Sequence, residues 1–252
     1  MTPLHPTFLT LPLAHRGLHD RAKGRVENSR AAVRAAVEAG YGIEVDIQPS
    51  ADGVPMVFHD YDLARLTGAQ GFIKSKTAAE LGEITLTDGG ETIPTLAEIL
   101  EIVAGQVPLL LEVKDQDGTL GPAIGALEEA IGRVIAGYDG PLALMSFNPN
   151  SVRVLGGIAP DVPRGLVTDP FRKDYWPMVP PQRRARLALI PDALPLGVSF
   201  ISHNRAFLDA APVAALKARG LSILCWTVRS AQEDAAARRI ADNVTFEGYL
   251  PG

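Results

Sequence analysis

Short β-rich runs alternate with helical stretches along the whole chain. Extended segments are predicted near residues 10–14, 42–47, 107–113, 142–146, 163–167, 197–201, 221–226 and 243–247. The helices declare themselves by their ends. Asn28-Ser29 precede a stretch over 30–39 in which Val33, Ala36 and Val37 share one face, and Gly40 closes it. Thr95-Leu96-Ala97-Glu98 and Ser230-Ala231-Gln232-Glu233 each read as a capping box, whose side chains satisfy free backbone donors of the first turn. Asn148-Pro149 marks another start, with proline where a missing N–H costs nothing. Pro212 opens a helix that runs to Arg219 and stops at Gly220.

Eight strands separated mostly by helices require parallel pairing through crossovers, and eight is the number that closes a ring. The predicted fold class is therefore α/β, a (β/α)8 TIM barrel. Leu109-Leu110-Leu111-Glu112-Val113 has the near-continuous apolarity of a strand covered on both faces. Residues 53–92 break the rhythm. An extra strand over 53–58 follows a turn at Asp52-Gly53, and only one short helix is expected after it, around 77–81. This reads as a small insertion after the second strand, lying over one mouth of the barrel. No internal repeat, low-complexity tract or linker divides the chain, so residues 1–252 are expected to form a single barrel domain.

Composition narrows the function classes. A hydrophobic content of 46% and a mean hydropathy of +0.10 indicate a well-filled core. The net charge of −5 argues against a nucleic-acid partner, which leaves a basic footprint. Arg183-Arg184-Ala185-Arg186 is the one basic run, and a solvated helix face explains it. The single cysteine, Cys225, excludes an internal disulfide and lies in an apolar run, where it reads as a small buried hydrophobe. Residues 1–13 carry three prolines and no Lys or Arg, unlike a secretory leader. No run of about 18 apolar residues is present, so stable membrane insertion is not expected. The expectation is a soluble cytoplasmic protein.

Strand geometry gives the acidic residues their meaning. Glu44 and Asp46 point to one face of their strand, while Ile43, Val45 and Ile47 point to the other. The aliphatic set belongs against the outer helices, so the acids face the barrel interior near the strand's C-terminal end. Two anions there repel and lose hydration unless a proton or cation intervenes. In the third strand the same alternation sends Glu112 and Lys114 inward. Three carboxylates match the hard oxygen shell of Mg²⁺ or Ca²⁺. Lys114 offers a point charge for a phosphate or a salt bridge to a neighbouring acid, and the sequence leaves both open.

His15 ends the first strand, and His59 ends another β-like run. Two imidazoles flanking a metal can serve as general base and general acid. Arg16 offers a planar fork for phosphate oxygens. Trp226 either walls the pocket or packs in the core; Glu247 either binds substrate or pairs with a nearby base. His5 reads as part of a loose terminus, His19 as a solvated loop residue, and His203, after the sixth strand, as a weak pocket candidate. The stretch 171–181, with Tyr175, Trp176 and Met178, is a lipid-facing patch or, more simply, a loop packed on the barrel rim.

Taken together, His15-Arg16-Gly17, Glu27-Asn28-Ser29, Glu44-x-Asp46, His59-Asp60, Leu66-Thr67-Gly68, the Ile-Pro-Thr-Leu-x-Glu phrase at 93–98, Glu112-Val113-Lys114 and Trp226-Thr227-Val228 resemble the glycerophosphodiester phosphodiesterase family in order and spacing. The likeness spans nearly the whole chain. It implies a barrel with a small insertion and a metal-dependent hydrolase that releases sn-glycerol 3-phosphate and an alcohol from glycerophosphodiesters. Carried over residue by residue, it implies Glu44, Asp46 and Glu112 as ligands of Mg²⁺ or Ca²⁺ and His15 and His59 as the acid–base pair. Arg16 and Lys114 would hold the phosphate, with Glu27 and Asn28 in support. The chain departs from the family at Val244-Thr245-Phe246-Glu247-Gly248, where a Gly-rich Ile-Thr-Asp-like phrase is usual, and in its short insertion. Both departures bear on the alcohol rather than on the reaction. The alternatives are a lysophospholipase D or cyclising activity on a related phosphodiester, a metal-assisted lyase or isomerase, and a non-catalytic binding barrel.

Overall fold

The computed structural model describes residues 2–251. Its strands are β1 (Leu13–His15), β2 (Gly42–Pro49), β3 (Pro55–Val57), β4 (Leu109–Val113), β5 (Leu142–Ser146), β6 (Arg164–Thr168), β7 (Phe200–Asn204), β8 (Ser222–Val228) and β9 (Asn243–Phe246). Its α-helices are α1 (Thr7–Thr10), α2 (Arg30–Glu38), α3 (Ala64–Thr67), α4 (Ala78–Gly82), α5 (Leu96–Val103), α6 (Ala126–Ile135), α7 (Pro149–Ile158), α8 (Pro181–Leu187), α9 (Ala211–Ala218) and α10 (Ala231–Ala237). β1 pairs in parallel with both β2 and β9, which closes a ring in the order β1-β2-β4-β5-β6-β7-β8-β9. β3 stands outside the ring, antiparallel to the end of β2. The (β/α)8 barrel is thus formed.

Alternation along the strands sorts the two faces. Ile43, Val45 and Ile47 of β2 join Leu109, Leu111 and Val113 of β4 in an outer layer against α2, α5 and α6. The inward set, Leu13, Leu110, Ala143, Val167, Phe200 and Leu224, fills the lower half of the ring. Phe8 of α1 enters this cluster from below and is wholly buried. Asn243 at the start of β9 fixes that plug by donating to the Phe8 and Leu11 carbonyls, at 2.8 and 2.7 Å. Replacing a buried ring of this kind by alanine costs about 3–5 kcal/mol. With the lower end packed, the open end is the one where the strands terminate.

Helix starts follow their sequence signals. Ser29 accepts from the Ala32 amide at 3.1 Å and caps α2, and Thr95 with Glu98 completes the reciprocal box at α5. At α10 half of the expected box is missing. Ser230 accepts from the Glu233 amide, but the Glu233 carboxylate turns to the Arg229 amide and the Arg205 guanidinium.

Three boundaries differ from expectation. The strand expected near 10–14 starts only at Leu13, because Thr10 closes α1 and Leu11 is a bend. The sixth ring strand expected at 197–201 begins at Phe200; its polar Ser202, His203 and Asn204 hide a strand that the aliphatic run before it imitates. The insertion holds α3 and a 3₁₀ turn over Ile73–Ser75 besides the expected short helix, now α4. Met56, Phe58, Leu63, Leu66, Ile73 and Leu81 give the insertion its own core, to which Val26 from the β1–α2 loop contributes. That core anchors the segment beside the open end. Among the described residues no helix is long and apolar enough to cross a membrane.

Candidate active site

The three acids come from adjacent strands. Asp46 of β2 stands in register with Glu112 of β4, and Glu44 lies one inward step below Asp46. One carboxylate oxygen of each falls within 4.8 Å of the others, and all three side chains are buried. Burial pushes the Glu44 carboxyl well above the usual carboxylate range, and the charges of Asp46 and Glu112 push it further. Asp46 goes the other way. Burial opposes its charge, but Lys114, His59, Arg16 and a hydrogen bond from Asn28 outweigh it and hold the group well below its ordinary value.

Cations of the chain answer part of this charge. Lys114 Nζ lies 2.8 Å from Glu112 Oε1 and 3.3 Å from Asp46 Oδ1, so the salt-bridge option is realised at the same mouth where a phosphate would sit. Burial disfavours its charge, but the two acids keep it protonated. The Arg16 amide donates to Glu44 Oε2 at 3.1 Å, while its side chain lies 2.6 Å from Glu27 Oε1 and 3.2 Å from Asp46 Oδ2. Asn28 clips Asp46 from both sides: its amide donates to Oδ2 at 2.9 Å, and its carbonyl accepts from the Asp46 backbone at 3.2 Å. Asn28 holds a positive φ of 59° to do so.

Both histidines reach this rim, and each has a carboxylate behind it. His15 Nδ1 lies 2.5 Å from Glu247 Oε2, and its Nε2 lies 4.0 Å from Glu44 Oε2. The hydrogen bond from His15 holds Glu247 far below the usual carboxylate range, with help from His19. An ionised Glu247 can only accept, so the ring proton sits on Nδ1 and Nε2 faces the acids. Burial lowers the His15 pKa and favours the neutral ring. Of the two options for Glu247, the structure shows pairing with a base. His59 repeats the plan, with Nδ1 at 2.6 Å from Asp60 Oδ1. The buried Gln48, next inward after Asp46, fixes the His59 carbonyl with a 3.1 Å hydrogen bond.

Sequence reasoning missed Arg65. Its guanidinium binds Asp60 at 2.5 Å and Glu27 at 2.8 Å, which ties His59 to Arg16 through a chain of alternating charges. Asp60 was visible only as part of a phrase, and an Arg on a four-residue helix carries no periodic signal. His19 was read as solvated, yet it lies 3.6 Å from Glu247. His203 is not brought to the site. It shares the outward face of β7 with Ile201 and hydrogen-bonds Thr168 Oγ1 at 2.8 Å. Burial lowers it to about 4. Cys225 is buried as expected, which pushes its thiol up to about 12.

Across the mouth, Trp226 donates from Nε1 to the Ser202 carbonyl at 3.1 Å and meets Phe147 edge-on at 5.6 Å. It packs and also lines an open pocket of about 430 Å³ with Trp176, Tyr175, Phe207 and Asp169. Within 171–181, Phe171, Trp176 and Val179 pack together, while Tyr175 and Met178 remain exposed. The arrangement can bind an anion between Arg16 and Lys114 and move protons at two Nε2 atoms.

Known proteins resemble this chain in sequence and in fold. A sequence profile of the Glycerophosphoryl diester phosphodiesterase family matches residues 15–244. A glycerophosphodiester phosphodiesterase of Caldanaerobacter subterraneus is 34% identical over 179 residues, covering 67% of this chain and 71% of that protein. A phosphodiesterase of Oleispira antarctica, solved in complex with the product sn-glycerol-3-phosphate, superposes with a TM-score of 0.75 at 26% identity, over 96% of this chain and 95% of that one. A glycerophosphodiester phosphodiesterase of Parabacteroides distasonis shares the fold with a TM-score of 0.72 at 22% identity, over 94% of this chain and 92% of its own.

Proposed function

This chain belongs to the glycerophosphoryl diester phosphodiesterase family, and we propose that it cleaves glycerophosphodiesters to sn-glycerol 3-phosphate and an alcohol with the help of one Mg²⁺ or Ca²⁺. Glu44, Asp46 and Glu112 fit such an ion: they are oxygen donors only, buried, and clustered within 4.8 Å. Burial first, and then the charges of Asp46 and Glu112, push the Glu44 carboxyl up, which a cation among the three acids would relieve. When bound, the cation screens charge building on the phosphate oxygens.

The remaining work falls to the chain's side chains. Arg16 and Lys114 bind phosphate oxygens, and Glu27 and Asn28 keep Arg16 and Asp46 in place. His15 Nε2 takes the proton of the attacking oxygen, either water or a substrate hydroxyl, because burial favours its neutral ring. Glu247 stabilises the imidazolium that results. His59 Nε2 gives its proton to the departing alkoxide, with Asp60 behind it. Trp226 walls the organic end of the substrate. The observation that carries this reading is the pair of imidazoles, each with Nδ1 held by a carboxylate, on the rim of one three-acid cluster.

Glycerophosphocholine hydrolysis coupled to detection of sn-glycerol 3-phosphate tests it. Release of the product is expected to stop with a chelator and to return with Mg²⁺ or Ca²⁺; release indifferent to chelator would remove the metal from the scheme. Phosphorus NMR of the products distinguishes direct hydrolysis from a cyclic phosphate. The exposed Tyr175 and Met178 favour a second reading, cleavage of lysophospholipid head groups, which the same assay with a lysophospholipid decides.

A further inference from the structure

The His15 ring stands between two unlike clusters. Its Nε2 looks toward the all-oxygen site, 4.0 Å from Glu44, and its Nδ1 toward Glu247 and His19. We propose that His15 Nδ1, His19 Nε2 and Glu247 Oε2 form a second cation site, suited to a borderline ion such as Zn²⁺, whose occupancy switches the hydrolase off.

The chain builds this cluster at the β1–β9 seam. His15 ends β1, Glu247 directly follows β9, and the two strands are paired. His19 returns to the seam because Arg16 and Gly17 both take positive φ, 57° and 78°, and reverse the chain. A Cβ on Gly17 would lie 2.8 Å from the Ala32 carbonyl carbon, so the reversal depends on glycine there. Arg229 occupies Glu247 Oε1 at 2.8 Å, which leaves Oε2 turned to both rings. His19 Nε2 is shielded from solvent and has no hydrogen-bond partner.

Distances and donor type agree with an ion rather than a hydrogen bond at His19. Ligand atoms about 2.0–2.2 Å from a tetrahedral Zn²⁺ stand about 3.4 Å apart, with two nitrogens and one carboxylate oxygen plus a free position as a familiar donor set. His19 Nε2 and Glu247 Oε2 are 3.6 Å apart, long for a hydrogen bond and right for two ligands of one ion. The 2.5 Å contact of His15 opens by about 0.9 Å as its ring proton passes, through solvent, from Nδ1 to Nε2 and the neutral ring turns its Nδ1 lone pair to the ion. The oxygen-only acid cluster prefers a harder ion, so the two sites differ in selectivity. An ion on Nδ1 breaks the His15–Glu247 pair and leaves the ring's one proton on Nε2, which then has no lone pair to accept another.

The test reads binding and activity separately. Co²⁺ added to the Mg²⁺-saturated protein is expected to give visible d–d absorption at one equivalent per chain in the wild type and in Glu44→Gln, and none in His19→Asn. Zn²⁺ is expected to inhibit Mg²⁺-supported hydrolysis of glycerophosphocholine without relief by excess Mg²⁺. His19→Asn keeps the basal rate and needs about tenfold or more Zn²⁺ for half-inhibition. His19→Gln, which preserves reach, guards against a misfolded variant. Absorption that persists in both His19 variants, or that vanishes in Glu44→Gln, puts the ion in the acid cluster and overturns the proposal. Equal Zn²⁺ sensitivity of wild type and His19 variants overturns it as well. The Co²⁺ measurement uses no substrate, so it succeeds or fails independently of the phosphodiesterase reading.

Discussion

On the arc formed by β1, β2 and β4, the mouth carries His15, Glu44, Asp46, Glu112 and Lys114; from β6 to β8 it carries Asp169, Ser202, Asn204 and Trp226. The first arc crowds charges together: Asp46 and Glu112 meet Arg16 and Lys114 within about 4 Å, while Glu44 faces the His15 ring and accepts from the Arg16 amide. The second arc settles its one buried acid with neutral donors. Asp169 accepts from the Phe171 amide, Trp176 Nε1 and Asn204 Nδ2, while Phe147 stacks between Trp176 and Trp226. Charge in a low-dielectric rim is costly unless it acts on something, whereas an aromatic wall is stable by its own packing. In the proposed scheme the charged arc carries the reaction and the aromatic arc accommodates the alcohol.

Substitutions at the two histidines are expected to give the largest effect. His15→Ala and His59→Ala each lower kcat by about 10²- to 10⁴-fold, measured on glycerophosphocholine, with the fold intact by circular dichroism. A wild-type rate in either variant would return that histidine to structural duty and break the contrast between the arcs. Trp226→Ala should act on the other side of the split. It is expected to raise KM by about two- to tenfold while leaving kcat nearly unchanged, and the change should depend on the head group. A fall in kcat at constant KM would mean that the aromatic arc positions the reacting atoms.

Acid sharpens the comparison with a smaller effect, because the arcs titrate in different windows. Burial lowers the ring of His203, behind the aromatic arc, to about 4 from an ordinary 6.5. Between those values the unfolded chain binds a proton that the folded ring refuses, so stability falls as pH drops through them, by at most about 3 kcal/mol. Glu27 belongs to the charged arc. Burial opposes its ionisation, but Arg65 and Arg16 hold it at about 2, below an ordinary 4.5. Its contribution is complete above pH 4.5 and is lost as pH falls toward 2. Urea melts at about pH 7, 5 and 3 should show a flattened upper step in His203→Gln and a flattened lower step in Glu27→Gln. Parallel curves for all three proteins would show that neither group governs acid sensitivity.

Period-two alternation made the barrel and the inward direction of Glu44, Asp46 and Glu112 legible, since a strand allows only two faces. The same rule placed Lys114 and extends to Gln48. What stayed hidden depends on contacts between distant segments. Arg65 reaches Glu27 across 38 residues, and His19 returns to Glu247 only through two positive-φ residues. β7 was displaced in the reading because apolar residues before Phe200 imitate a strand while the strand itself carries Ser, His and Asn. Short α1 is absent from the sequence reading because four residues show no period.

The Asn243 clasp on Phe8 and Leu11 couples the first helix to the last strand. On the ribosome, β1 is made before every other ring strand and gains its β9 neighbour only after β8, and the plug beneath it gains its anchor at the same moment. Until then β1 and β8 present open sheet edges, the condition that invites pairing with other chains. The ring thus stays unsealed until β9 has emerged, and the interval between β8 and β9 sets how long both edges stand open together.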